Sequence, residues 1–205
     1  MALAAFIVSL SVYAVTLAPS LTWSHWGSDG GDFITAAVTG RAPHPPGFPL
    51  YMMIARVGVR VMNVDPARTL NMLSALMAAL TVSMTALGCT MRTDSVWVGM
   101  TAGLSLAFAP LFWSQALITE VYSSAAFFVA LALVLIESER WTRLWRMRLA
   151  GMALGLAIAV HPVAIVAAIY FLSVAPDRLL DLGIGLLVGG IFYATIPMTS
   201  QQWPQ

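Results

Sequence analysis

The sequence contains no lysine: all ten basic residues are arginine, and only 9% of its 205 residues carry charge. A soluble domain carries roughly 25% charged residues, so the scarcity leaves little room for one. All-arginine usage reads as coding bias rather than function. A net charge of +1 excludes the basic footprint that nucleic-acid binding requires. Cysteine is nearly absent too. Cys89 is single, so no internal disulfide forms, and no Cys or His beside it completes a metal site. Its expected role is packing. Low-complexity tracts and fixed-period repeats are missing.

What is present is apolar. Hydrophobic residues make up 60% of the chain, in runs close to the roughly 17–25 residues that a bilayer-spanning helix requires. The expected fold is all-α: one polytopic membrane helix bundle over residues 1–205, with about seven spans and an interfacial helix. Ala2 to Ala18 lacks a basic n-region and a clear small-residue cleavage site, so it reads as a first membrane helix rather than a signal peptide. Residues 20–49 form a loop rich in Gly, Pro, Ser, Trp and His. Within it, Asp32 to Thr39 suits a short helix capped by the aspartate. Residues 50–63 carry Arg56 and Arg60 at i and i+4, on one helix face. That stripe suits a helix lying flat in the interface; a short crossing helix is the alternative and inverts everything downstream. Further spans are expected over Thr69–Cys89, Val96–Gln115 and Val121–Ile136. Two short helices meeting near His161 account for Leu149–Val174, and a last span covers Leu182–Ile196.

Arginine asymmetry orients these elements. Arg140, Arg143, Arg146 and Arg148 form the densest basic loop, which belongs in the cytoplasm. With the N-terminus inside and residues 50–63 lying flat, Arg92 and Arg178 also fall inside. Asp29, Asp32, His44, Glu120, His161 and Pro197 then fall on the opposite face.

Three segments carry chemistry. In Ser28-Asp29-Gly30-Gly31-Asp32-Phe33, two carboxylates lie three residues apart on a glycine-rich turn. One suits a general base for an acceptor hydroxyl, and the pair suits a divalent cation, since hard cations take oxygen ligands. A solvated turn with a helix cap accounts for them equally well. Pro43-His44-Pro45-Pro46-Gly47-Phe48-Pro49 is stiffened by prolines and can hold His44 near the aspartates; a rigid entry into the interfacial helix also explains it. Glu120 ends the stretch Phe112-Trp113-Ser114-Gln115 to Glu120-Val121-Tyr122. Ionisable residues near a membrane face a cavity or the interface, and a plain helix-end marker remains open. His161, alone at a turn, suits a structural hydrogen bond as well as a site.

Taken in order, Thr16-Leu17-Ala18-Pro19-Ser20, Asp29-x-Gly31-Asp32 and His44-Pro45-Pro46-Gly47-Phe48-Pro49-Leu50 resemble a bacterial membrane family akin to protein O-mannosyltransferases. The 112–122 stretch, Gly155-Leu156 with His161, and Tyr193 to Ser200 match as well. Asp32 stands where that family has Glu, and Met198 where it has Arg. The resemblance implies a GT-C-like glycosyltransferase module in the bacterial cytoplasmic membrane, with its active face outside and a C-terminal domain lacking. It implies transfer of a sugar, plausibly mannose, from a polyprenyl-phosphate donor to a hydroxyl on a protein or glycan acceptor. The catalytic roles fall on Asp32, Asp29 and Glu120. His44, Arg56, Arg60 and His161 are expected to bind substrate, with the arginines beside the donor phosphate because guanidinium suits phosphate oxygens. No metal site is expected beyond the optional cation at Asp29 and Asp32. Two rivals stand: a non-catalytic lipid-binding or scaffold subunit, and a small transporter. A transporter would place ionisable groups at mid-helix, whereas these acids lie in loops and at helix ends.

Overall fold

A computed structural model describes residues 1–174, 176 and 179–195. All regular structure among the described residues is helical. The expectations for Arg178 and for the segment from Ile196 through Pro197, Met198 and Ser200 lie outside the described residues.

Proline sets several helix starts. Helices α3 (Pro49–Val61), α4 (Pro66–Thr93) and α6 (Pro110–Ala116) each open on proline, whose missing N–H is one of the groups left unpaired at a helix start anyway. Asp65 caps α4, its Oδ1 accepting from the Arg68 backbone N–H at 3.0 Å. The first helix, α1, spans Ala2–Thr16, and α2 spans Gly30–Thr39. The chain continues through α5 (Val96–Ala107), α7 (Tyr122–Glu137), α8 (Arg143–Val160), α9 (Ala167–Val174) and α10 (Leu179–Tyr193).

Among the described residues, α4 alone is long and apolar enough to cross a membrane, and a second span exists if α5 and α6 count as one. The expected Val96–Gln115 span breaks at Phe108–Ala109, where α5 and α6 meet at 66°. The cause is Pro110, which pushes Ala109 into an extended conformation (ψ 124°). The other apolar helices run 10–17 residues. At 1.5 Å per residue they reach at most about 25 Å, short of a hydrocarbon core of about 30 Å. The expected pair of helices near His161 is seen: α8 ends at Val160, and a 3-10 turn over Pro162–Val166 leads into α9.

Helix α4 is the central post, packed against α1, α5 and α7. Its buried face is made of small side chains, Ala75, Ala78, Ala79 and Ala86, which let its neighbours approach closely. Tyr13 of α1 is fully buried and donates to the Ala107 carbonyl at 2.9 Å, tying α1 to the α5–α6 break. Helices α8 and α10 pack backbone to backbone. A Cβ on Gly155 would fall on the Gly185 carbonyl, one on Gly185 on the Gly151 carbonyl, and one on Gly189 on the Gly155 carbonyl.

Helix α7 begins beside Glu120, which bonds Ser74 two turns into α4, and the two helices finish together, where Arg92 Nη1 lies 3.7 Å from Glu137 Oε2. The rise from Ser74 to Arg92 in α4, like the 16 residues of α7, separates these ends by about 25 Å. At the far end lie Arg146, which donates to the Ile136 carbonyl at the end of α7, and Arg148, whose Nε donates to the buried Asp181 at 2.9 Å.

Candidate active site

The glycine pair lets the chain turn into α2 one residue after Asp29, so Asp29, not Asp32, takes the N-cap position. The cap expected at Asp32 therefore moves three residues upstream, and Asp32 falls in the first turn. Asp29 makes no side-chain cap bond; its Oδ1 accepts from Ser28 Oγ at 3.1 Å. Both carboxylates lie at the positive end of the helix dipole, a stabilising place for an anion.

The proline segment folds back onto this turn. Gly47 (φ 88°) and Phe48 (φ 44°) both have left-handed backbones. For Gly47 that is free; for a buried phenylalanine it is strained. The bend brings His44 down onto α2. Asp32 Oδ2 accepts from both the His44 backbone N–H and Nδ1, each at 2.7 Å. This assigns the ring proton to Nδ1 and turns Nε2 towards Asp29, whose Oδ2 is 3.8 Å away. The imidazole thus lies between the two carboxylates, where a shared cation would need to sit. Among the described residues no group of three or more His, Cys, Asp or Glu side chains is arranged to hold a metal ion.

His161 reaches the same neighbourhood through aromatic contacts. Its ring centroid is 5.5 Å from Phe48 and 5.2 Å from Tyr122, and Phe48 is 5.1 Å from His44. Its Nδ1 accepts from the Val163 N–H at 3.1 Å, the structural bond open to a lone histidine at a turn. Burial pushes its basicity down; the Asp29 charge opposes that and His44 adds to it.

Glu120 lies in the loop between α6 and α7 and is only 2% exposed. Its backbone N–H donates to Ser74 Oγ, and Ser74 Oγ donates to the Glu120 carbonyl, both at 3.2 Å. The side chain is held less fully: Oε2 is buried without a hydrogen-bond partner. Burial pushes its pKa up to about 7, the Asp29 charge adds to this, and the Val121 backbone N–H opposes it.

A cavity of about 490 Å³ joins these parts. Asp29 and Ser28 form one wall and Glu120 another, with Gln115, Tyr122, Ser123 and the apolar Leu111, Phe112 and Ala126 closing it. Asp32 and His44 stand behind Asp29 rather than on the lining. Arg56 and Arg60 do not line it either. Arg56 Nη2 donates to the Gly40 carbonyl at 2.9 Å and the Arg41 carbonyl at 2.7 Å, at the opposite end of α2 from the acids. Ten helical residues, about 15 Å, lie between. Arg60 sits exposed in the last turn of α3.

Reading the sequence missed Asn71, which ties the two acidic loops together. It is 1% exposed. Its Nδ2 donates to the Ala18 and Ser20 carbonyls at 2.9 and 3.2 Å, and its Oδ1 accepts from Thr119 Oγ1 at 2.7 Å. The signal was an amide inside an apolar run with Ser74 one turn later. Asn71→Leu should cost about 1–3 kcal/mol, since it strands the buried Thr119 hydroxyl and removes the donor to the Ala18 and Ser20 carbonyls. Thermal unfolding of the purified protein should show the loss, and an unchanged midpoint would contradict the hub role.

Residues 29–175 match the family model described as the protein O-mannosyl-transferase TMEM260 N-terminal domain. The chain belongs to that family. Among curated members, the TMEM260 protein O-mannosyl-transferase of Dictyostelium discoideum is 26% identical over 156 residues, 68% of this chain. The Mus musculus protein O-mannosyl-transferase TMEM260 is 30% identical over 133 residues, 64% of the chain. The aligned region spans 18% of either relative. The TMEM260 N-terminal match begins at Asp29 and so takes in both aspartates, the His44 segment, Glu120 and His161. No solved structure matches.

Proposed function

We propose that this chain is the membrane-embedded catalytic module of a glycosyltransferase. It moves a sugar, mannose by the relatives' names, from a polyprenyl-phosphate donor to an acceptor hydroxyl on the non-cytoplasmic side. The carrying observation is the cavity shared by Asp29 and Glu120, backed by the Asp32–His44 clamp. Asp29 is the base. It lines the cavity, whereas Asp32 Oδ2 is already engaged by both donors of His44. Asp32 positions His44, and His44 supports Asp29. The acceptor O–H gives its proton to the Asp29 carboxylate while the oxygen attacks the anomeric carbon. The bond from that carbon to the phosphate oxygen breaks, its electron pair leaves with the lipid phosphate, and the anomeric configuration inverts.

The multi-span arrangement is part of this proposal. The acids gather at one end of α4 and α7, and the arginine cluster at the other. Exposed tryptophans mark both ends: Trp23 (80%) in the acidic loop, and Trp97 (83%), Trp141 and Trp145 near the arginines. Indole rings favour the two membrane–water interfaces. Helices shorter than a full span match a locally thinned bilayer, and α3 lies flat along the outer interface.

Transfer is tested with purified protein in lipid nanodiscs, radiolabelled polyprenyl-phosphate mannose and a Ser/Thr-containing peptide. Labelled peptide is the expected product; its absence with every acceptor tried would overturn the enzyme reading in favour of a lipid-binding scaffold. Topology is tested separately in a Cys89→Ala background. Ser28→Cys and Glu139→Cys, both exposed, should react with a membrane-impermeant maleimide from opposite sides. Labelling from one side only would sink the arrangement.

A further inference from the structure

The acid cavity has a property that its position alone does not convey. It has two carboxyl groups on its lining and no arginine. Most of its polar heads are already spoken for. Ser28 Oγ donates to Asp29, Gln115 Nε2 donates to the His25 carbonyl at 2.9 Å, and Ser123 Oγ donates to the Gln115 carbonyl at 3.5 Å. What remains uncommitted is the carboxyl of Glu120, a lining residue 98% buried whose Oε2 has no hydrogen-bond partner, together with the Tyr122 hydroxyl. A buried polar atom without a partner points to a group the site is built to receive.

We infer that this cavity is a subsite for a neutral, hydroxyl-bearing ligand, seated between the Asp29 carboxylate as hydrogen-bond acceptor and the Glu120 carboxyl as donor, and that phosphate is excluded from it. The inference deepens the transferase proposal and rests on it for the ligand's identity. The physical reason is charge. A phosphate placed here would face the Asp29 carboxylate with no cation on the lining, and in a low-dielectric pocket that repulsion is strong. A hydroxyl fits, because it donates to Asp29 and accepts from a protonated Glu120. Burial and the Asp29 charge favour that protonated form around neutrality. The groups facing Glu120 are Asp29 from α2, Tyr51 from α3 and Tyr122 from α7, while α4 contributes only Ser74. None supplies a positive charge that would hold Glu120 ionised. The donor phosphate must therefore sit outside, with only the sugar ring or the acceptor hydroxyl entering.

An apolar carbodiimide tests this without an activity readout, since it modifies protonated buried carboxyl groups. Purified protein is treated at pH 6 and pH 8.5, and adducts are mapped by peptide mass spectrometry. Glu120 should be labelled, severalfold faster at pH 6. Methyl α-mannoside, or an N-acetyl-threonine amide, should slow labelling at least about fivefold at saturation, and inorganic phosphate should not. Protection by the mannoside assigns the cavity to the donor's sugar, and protection by the threonine compound assigns it to the acceptor. Protection by phosphate, or by neither neutral compound, overturns the inference. Glu120→Gln keeps a neutral donor at the same place, so equilibrium dialysis should find the protecting compound still bound within about threefold; loss of binding would overturn the donor role. A transfer assay read alongside separates the two readings: transfer with phosphate protection defeats the subsite alone, and protection without transfer defeats the enzyme alone.

Discussion

Asp29→Asn should abolish transfer, lowering kcat/KM by roughly 100- to 10,000-fold, the range that a positioned general base supplies. The fold should survive. Asp29 makes no cap bond, its contact with His44 is long at 3.8 Å, its hydrogen bond from Ser28 is partly solvated, and an amide oxygen can accept that bond in its place. Asp32→Asn should be milder, about 10- to 100-fold, the usual cost of losing a carboxylate that orients a functional histidine. It weakens the clamp on His44 but leaves the cavity wall intact. The ordering is the decisive result. If Asp32→Asn proved far worse than Asp29→Asn, the base would be Asp32, as the family resemblance suggests, and His44 would have to move aside during turnover. The pH profile adds an independent check. With Glu120 required in its protonated form, the rate should fall as pH rises through about 7. In Glu120→Gln that alkaline limb should flatten, because an amide does not lose its proton there.

A second large effect is expected at the α8–α10 seam. Gly185→Leu should cost about 3 kcal/mol or more, above the usual range for overpacked cores, because the added atoms meet backbone rather than a side chain that can turn away. Gly155→Leu should behave alike. Gly183 and Gly190 have no atom within 4 Å of the position a Cβ would take, so Gly190→Leu should keep the wild-type unfolding midpoint. Thermal unfolding followed by size-exclusion chromatography separates these outcomes. Equal stability for Gly185→Leu and Gly190→Leu would show that the helices are not in backbone contact. Loss of the seam should also reach the site, since Phe192 of α10 packs on the cluster holding Phe33, Phe48 and Tyr51, which supports His44.

The sequence conveys some of this directly. Proline marks the starts of α3, α4 and α6 because its chemistry is local, and the break at His161–Pro162 follows for the same reason. The amphipathic stripe of α3 and the separation of acids from arginines also come from order along the chain. The bend at Ala109–Pro110 was readable in principle, but a continuous apolar run hid it. The roles of individual residues were harder. Asp29 and Asp32 look equivalent on a glycine turn. Only the return of His44 twelve residues later separates them, and that return depends on left-handed backbone at Gly47 and Phe48. A phenylalanine in that conformation has no sequence signature. Guanidinium chemistry and the family resemblance together suggest a phosphate beside Arg56. What decides the guanidinium's position is the pair of carbonyls, Gly40 and Arg41, just past the end of α2, which come within reach only once α2 and α3 lie side by side.

The Arg56 tie has a mechanical consequence. One guanidinium grips the carbonyls just past α2, while Asp32 in the first turn of α2 is gripped by the imidazole of His44, on the strap leading into α3. Helix, strap and helix thus close into a buckle fastened at both ends. If α3 rests on the bilayer surface, as proposed, it cannot rise or sink without carrying Asp29 with it. A transferase built this way would register the thickness and lateral pressure of its membrane as a displacement of its own base, and its rate would depend on the lipid around it even at saturating substrate.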